Sequence, residues 1–195
     1  MTVILLARHG ETDWNSERRW QGHADQPLND VGREQARALA ATLADRAIDV
    51  VYSSDLARAH ETAVIVADRL GLPVEVDPGL REVDVGDWSG RLLTEIEAVD
   101  PEGFQRWRQG HKAWNGGESY EEMGERVVGA VLGLAGRHPG QTVLVVTHGG
   151  SIRACRAYAA GLDYAASRAT AIGSMANCEV AELHVAGGRL AAAAG

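Results

Sequence analysis

Short runs of β-branched and aliphatic residues alternate along this chain with longer stretches in which apolar residues recur every three or four positions. The runs Val3-Ile4-Leu5-Leu6-Ala7 and Thr142-Val143-Leu144-Val145-Val146-Thr147 have the length and continuity of strands buried on both faces. The pattern predicts strands near residues 2 to 7, 49 to 53, 142 to 147 and 178 to 186. Between the first two, Ala36, Leu39, Ala40, Leu43 and Ala47 fall at helical spacing and Asn29 or Asp30 can cap the start, which predicts a helix over roughly 30 to 47. A second helix, about 57 to 70, follows the Tyr52-Ser53-Ser54-Asp55 turn and ends at Gly71 and Pro73. A third carries Met123, Val127, Val131 and Leu134 on one face and stops before Pro139-Gly140. Alternation of this kind predicts an α/β architecture with a largely parallel sheet.

Residues 83 to 117 break the alternation. They are rich in Trp, Gly and charge, and are expected to form helices lying over a site as a lid. With no repeat, no low-complexity linker and no composition shift, residues 1 to 195 read as a single domain, with an alanine-rich tail at 191 to 195 expected to fray. A chain of 195 residues that is 45% hydrophobic can bury one sizeable core. Its net charge of -8, with dispersed basic residues, argues against general nucleic-acid binding, so any anion site must be local. No apolar stretch approaches the roughly 20 residues of a membrane span, and the N-terminus lacks a signal pattern, so a cytoplasmic location is expected. Cys155 and Cys178 are expected as free, buried thiols.

The chemistry concentrates at strand ends. The first run ends on Arg8-His9-Gly10, and the run after Thr142 ends on His148-Gly149-Gly150 at the start of a helix, so two strand ends each deliver a histidine. Burying Arg8 and His9 there is costly unless an anion or a hydrogen-bond network receives them, and a phosphate would be such an anion. Open α/β sheets bind ligands beyond the carboxyl ends of their strands. Arg58 in the first turns of the helix after the second strand adds a third cation, and Glu82 in LREVDVGDWSG adds an acid.

Arg8-His9-Gly10-Glu11-Thr12, Asn15, Gln21-Gly22, Arg58 within SSDLARAHET, Glu82, Gly117-Glu118-Ser119 and His148-Gly149-Gly150 occur in one order over residues 3 to about 183. In that order they resemble the phosphoglycerate-mutase-like branch of the histidine phosphatase superfamily. The resemblance implies a three-layer sandwich, a mostly parallel central sheet flanked by helices. It implies that His9 is a nucleophile that becomes phosphohistidine and that Glu82 protonates the leaving oxygen and later takes a proton from water. Arg8 and Arg58 are forks suited to phosphate oxygens, with His148 as a further donor if protonated and the amides of Gly149 and Gly150 as anion-binding dipoles. Asn15, Gln21 and Gly22 follow the family pattern as substrate-binding positions.

No HExxH, P-loop or GxGxxG pattern is present, so neither a metal nor a cofactor is expected. His23, His60, His111, His138 and His184 read as surface or packing residues. Of the five tryptophans, Trp14 and Trp20 flank the first motif while Trp88, Trp107 and Trp114 fall near the lid; core packing is expected for most, with some walling the substrate. Arg106, Arg108 and Lys112 are candidates for a substrate carboxylate or second phosphate, with a solvated helix face as the alternative, and the substrate's organic part is expected to be read between Glu82 and Gly117. True mutases of this type resemble longer chains with adjacent arginines in a larger insertion. Here Trp107 separates Arg106 from Arg108 and the segment is short. The expected activity is therefore hydrolysis of a small phosphorylated metabolite, with mutase transfer or a non-catalytic phospholigand module as alternatives, and a homodimer is left open by the resemblance.

Overall fold

The two longest apolar runs lie side by side at the centre of the computed structural model, which describes residues 1–170, 172 and 175–192. In chain order the elements are β1 (Thr2–Arg8), α1 (Asp13–Ser16), α2 (Asp30–Leu43), β2 (Val50–Ser53), α3 (Ala57–Leu70) and β3 (Val74–Val76). Short 3₁₀ turns at Pro78–Leu80 and Gly86–Trp88 lead to α4 (Leu93–Val99), α5 (Pro101–Arg108) and α6 (Tyr120–Arg137). β4 (Thr142–Thr147), α7 (Gly149–Ala159), α8 (Tyr164–Ser167), β5 (Val180–Ala186) and β6 (Arg189–Ala192) complete the chain. The six strands form one sheet in the order β3-β2-β4-β1-β5-β6. β1, β2, β3 and β4 run parallel, whereas β5 and β6 are antiparallel additions at one edge.

Successive residues of a strand point to opposite faces, and β1 obeys this with both faces buried. Ile4 and Leu6, with Val143 and Val145 of β4, join a cluster with Val127, Val131 and Leu134 of α6 and Ile152 of α7. Leu5 and Ala7, with Leu144 and Val146, meet Leu39 and Leu43 of α2 and Ala59, Ala63 and Val66 of α3. Three layers follow, with the apolar continuity of β1 and β4 as their cause. Parallel pairing sets Arg8 opposite Thr147 and Ser53 opposite Val146. His9, His148 and Ser54 therefore leave the sheet together at one edge.

Three helix ends show their local causes. Asn29 caps α2 by accepting the Gly32 amide, Gly71 closes α3 in the left-handed conformation (φ 69), and Ser119 and Glu122 form a reciprocal capping box at α6. The helix expected to reach residue 47 ends at Leu43 instead; Ala47, placed on the buried face by periodicity, is exposed where the chain turns toward β2. Two strands escaped the pattern. β3 spans only three residues behind Pro73, and β6 holds Ala191 and Ala192, which corrects the expected fraying there. The Gly187-Gly188 pair, both with positive φ, makes the β5–β6 turn and was a readable hairpin signal. Residues 193–195 of that tail lie outside the described residues.

Candidate active site

His9 is buried immediately beyond β1, and its two ring nitrogens have partners of opposite character. Nδ1 lies 2.7 Å from the Gly10 carbonyl oxygen, which can only accept, so Nδ1 carries the proton. Arg58 Nε, which can only donate, lies 3.3 Å from Nε2, so that nitrogen carries a lone pair. Burial, followed by the charges of Arg58 and Arg8, holds the imidazole far below the ordinary histidine pKa. The ring is neutral and a single tautomer. The peptide is fixed as well: His9 donates its amide to Thr147 O (3.0 Å) and accepts from Asn177 Nδ2 at its carbonyl (2.8 Å).

Arg58 is 1% exposed on the first turn of α3. Beyond its bond to His9 it donates Nη1 to Ala24 O and Nη2 to Gly22 O, each at 2.8 Å. Burial lowers its pKa to about 10, so it stays cationic at neutral pH. Gly22 therefore acts through Arg58 as well as lining the cavity. Its φ of +49 and a would-be Cβ 2.6 Å from Val85 Cγ2 require glycine. Arg8 donates Nη1 to Met175 O at 2.6 Å, while its Nε is buried with no partner among the described residues.

Glu82 reaches the same space from the loop after Pro78–Leu80. One carboxylate oxygen accepts the Val83 amide and the other the Gly150 amide, both at 2.9 Å. The two helix-start glycines are thus divided. Gly149, first residue of α7, lines the cavity with its amide outside the intrahelical ladder, whereas the Gly150 amide expected to face an anion is bonded to the acid. A Cβ at Gly150 would sit 2.3 Å from Glu82 Oε1.

His148 is wholly buried, with Nε2 3.0 Å from Ser54 Oγ and its ring centroid 5.2 Å from that of His9. Burial and then Arg58, His9 and Arg8 push its pKa far down, so it is neutral, not the imidazolium considered from sequence. Its Nδ1 is buried with no partner among the described residues. Asn15 and Gln21 both line the cavity. Their side-chain oxygens are taken by Thr12, whose amide donates to Asn15 Oδ1 (3.2 Å) and whose hydroxyl donates to Gln21 Oε1 (3.0 Å), while neither NH₂ group has a hydrogen-bond partner among the described residues.

The structure also reveals how the acid is held. Arg126 on α6 donates to the carbonyls of Gly79, Arg81 and Glu82 and pairs with Glu118, and His23 donates to Glu82 O at 2.8 Å. His23 is thus a support of Glu82 and not a surface residue; the Gly-Glu-Ser block was visible, but its arginine partner carried no signal. The other histidines match their reading: His60 and His111 are exposed, His138 bonds Tyr52 and Gln141, and His184 bonds Glu182. Cys155 is buried and Cys178 half-buried, both free.

The cavity holds about 460 Å³. Trp14, Trp20 and Trp107 line it, while Trp88 and Trp114 are buried behind. Trp20 and Trp107 also pack against the core cluster that holds Trp88 and Trp114, so four of the five serve core packing, as expected, and two of those four wall the cavity as well. Arg106, Arg108 and Lys112 do not reach the cavity: the two arginines are exposed on α5 and Lys112 donates to Gly117 O (2.9 Å). Arg153 and Arg168 do line it, with Tyr120 and Tyr164, so much of the wall lies outside residues 83 to 117. Among the described residues no three His, Cys, Asp or Glu side chains could hold a metal ion, and no helix is long and apolar enough to cross a membrane.

The model of the histidine phosphatase superfamily (branch 1) matches residues 4–194. The chain belongs to that family. Among its relatives, phosphoglycerate mutase-like protein 4 of Arabidopsis thaliana is 43% identical over 77% of this chain and 67% of its own length. Phosphoserine phosphatase 1 of Hydrogenobacter thermophilus is 39% identical over 84% of this chain and 78% of its own. A solved mycobacterial glucosyl-3-phosphoglycerate phosphatase in complex with VO3 superposes with a TM-score of 0.86 at 37% identity, covering 93% of this chain and 92% of that one. The histidine phosphatase fold expected from the motifs is thus the fold observed.

Proposed function

We propose that the chain hydrolyses a small phosphomonoester through a phosphohistidine on His9, with Glu82 as proton donor and acceptor. The observation that carries this reading is the pinned tautomer: a neutral imidazole with its proton on Nδ1, held by Gly10 O, and its lone pair on Nε2, which accepts from Arg58 Nε and is released when that N–H turns to a phosphoryl oxygen. The lone pair attacks phosphorus, the P–O bond to the alcohol breaks, and the leaving oxygen takes the Glu82 proton. Water then attacks the phosphohistidine, giving a proton to Glu82 as the N–P bond breaks. Arg8 Nε has no partner among the described residues, and Arg8 and Arg58 flank the spread charge of a loose phosphoryl transition state. The Gly149 amide, a neutral His148 and the free NH₂ groups of Asn15 and Gln21 add donors. The phosphatase names of several relatives and the short segment after Glu82 favour water over a returning alcohol as acceptor.

Three measurements test the reading. Acid-labile phosphohistidine should form on mixing with substrate, 18O from solvent should appear in released phosphate, and turnover should need no bisphosphate primer. Loss of phosphohistidine in His9→Ala with hydrolysis unchanged would overturn it.

A further inference from the structure

Among the described residues six arginines line the cavity (Arg8, Arg18, Arg19, Arg58, Arg153 and Arg168), and Glu82 is the only acid. In a chain of net charge -8 that is a strongly positive pocket. Arg8 and Arg58 suffice for one phosphoryl group. Arg19 already bonds Glu17 Oε2 (2.6 Å) and Gly90 O (2.9 Å), and Arg18 is exposed at the rim. Arg153 and Arg168 remain. Both are half-buried, neither has a carboxylate within 4.0 Å among the described residues, and Arg153 Nε is buried with no partner.

Both guanidiniums are instead set against aromatic rings. Arg153 Cζ lies 5.8 Å from the Tyr164 centroid and Arg168 Cζ 4.8 Å from that of Trp107. The rings are themselves a platform: Tyr120 and Tyr164 stack at 4.3 Å and 11°, and Trp107 Nε1 donates to Tyr120 Oη at 3.1 Å. Cation–π contact offsets part of the desolvation of such cations and leaves the N–H edges for an oxyanion. Arg153 also shares a face of α7 with Gly149, four residues earlier, so it stands one helical turn, roughly 6 Å, beyond the phosphate end.

We propose that Arg153 and Arg168 form a second oxyanion subsite, so that the substrate carries a carboxylate or second phosphate a few bonds from the phosphomonoester. The inference rests on the phosphomonoesterase reading above. It differs from the lid arginines considered from sequence, which face solvent.

The test compares glycerol 3-phosphate, 3-phosphoglycerate and 1,3-propanediol bisphosphate, with p-nitrophenyl phosphate as a reporter of phosphomonoesterase activity. At least one doubly anionic ester should exceed glycerol 3-phosphate in kcat/KM by about tenfold or more, mostly through KM, as expected for charge-assisted bonds. Which one does so separates carboxylate from phosphate recognition. In Arg153→Gln and Arg168→Gln that ratio should fall to within about threefold of unity, with Arg153→Lys intermediate. Because the ratio is internal to each variant, partial unfolding cancels. Equal kcat/KM for all three esters in the wild type, or a preference that survives both substitutions, overturns the subsite alone. Failure to hydrolyse any ester, p-nitrophenyl phosphate included, overturns the phosphomonoesterase reading and the subsite with it.

Discussion

The two ends of the cavity are built on different principles. At the end proposed to take the phosphoryl group, here the phosphate end, His9 and His148 follow directly from the carboxyl ends of β1 and β4, and Arg58 stands on α3 after β2. Main-chain atoms orient the polar groups there: Gly10 O for His9, Gly22 O and Ala24 O for Arg58, Met175 O for Arg8, the Val83 and Gly150 amides for Glu82. At the far end Arg153 and Arg168 come from α7 and the residue after α8 and are set against ring faces. Chemistry demands orientation to a fraction of an ångström, which backbone partners in the loops and helix start beyond the sheet's carboxyl edge supply. Recognising a second charge demands only a desolvated fork of roughly the right reach. The far end can therefore change while the phosphate end stays intact.

The largest effects should fall on the phosphate end. His9→Ala removes the attacking lone pair and should lower kcat by about 10³-fold or more, in rapid-quench experiments that also find no phosphoenzyme. If that loss were no greater than the loss in Arg153→Gln, the division between the ends would collapse. Arg58→Lys keeps the charge but cannot donate along three directions to His9 Nε2, Gly22 O and Ala24 O. A fall in kcat/KM of roughly 10²-fold is expected, since an ammonium does not replace a planar fork, together with faster hydrogen exchange at residues 22 to 24.

The contrast also explains what the sequence revealed. The apolar runs of β1 and β4 are continuous because both faces are buried, and α3 runs over the predicted 57 to 70 because Gly71 and Pro73 end it. The phosphate-end residues were legible because each follows a strand end, so local order along the chain translates into proximity in space. β6 was legible in principle, through Gly187-Gly188, but alanine-rich strands carry little β propensity. Arg153 was hidden among the polar positions of an amphipathic helix. Arg168 sits in a stretch without strong periodicity, and its place over Trp107 depends on the turn after α5 meeting α8, where Gly110 lies against Ala165. His23 and Arg126 were equally silent, since they serve Glu82 through its carbonyl and no pattern marks a carbonyl's partners.

Gly150→Ala probes the seam where the sheet-edge machinery meets α7. A Cβ there would lie 2.3 Å from Glu82 Oε1, so the carboxylate must move and lose the Gly150 amide. A displaced proton donor should cost about 10- to 10²-fold in kcat on an alkyl phosphate. The loss on p-nitrophenyl phosphate should be much smaller, because its leaving group needs little protonation. Equal losses on both esters would mean that the substitution disturbs phosphate binding and not the acid.

The smallest expected effect separates the two ends by stability. His9 and His148 are buried neutral with folded-state pKa values far below the ordinary value near 6.5. Below that pH the unfolded chain takes up protons that the folded chain refuses. The stability they allow is thus complete above about pH 7 and is lost as pH falls, at up to about 1.4 kcal/mol per pH unit for each histidine. Urea midpoints between pH 7.5 and 5.5 read this loss in a window above the ordinary carboxylate range. The double variant His9→Asn, His148→Gln should flatten the slope by about one proton averaged over this window and by close to two at its acid end, whereas Arg153→Gln should leave it unchanged, because Arg153 is not among the charges that depress either imidazole. A slope that survives the double variant would place the refused protons elsewhere and detach the acid sensitivity of the fold from its phosphate end.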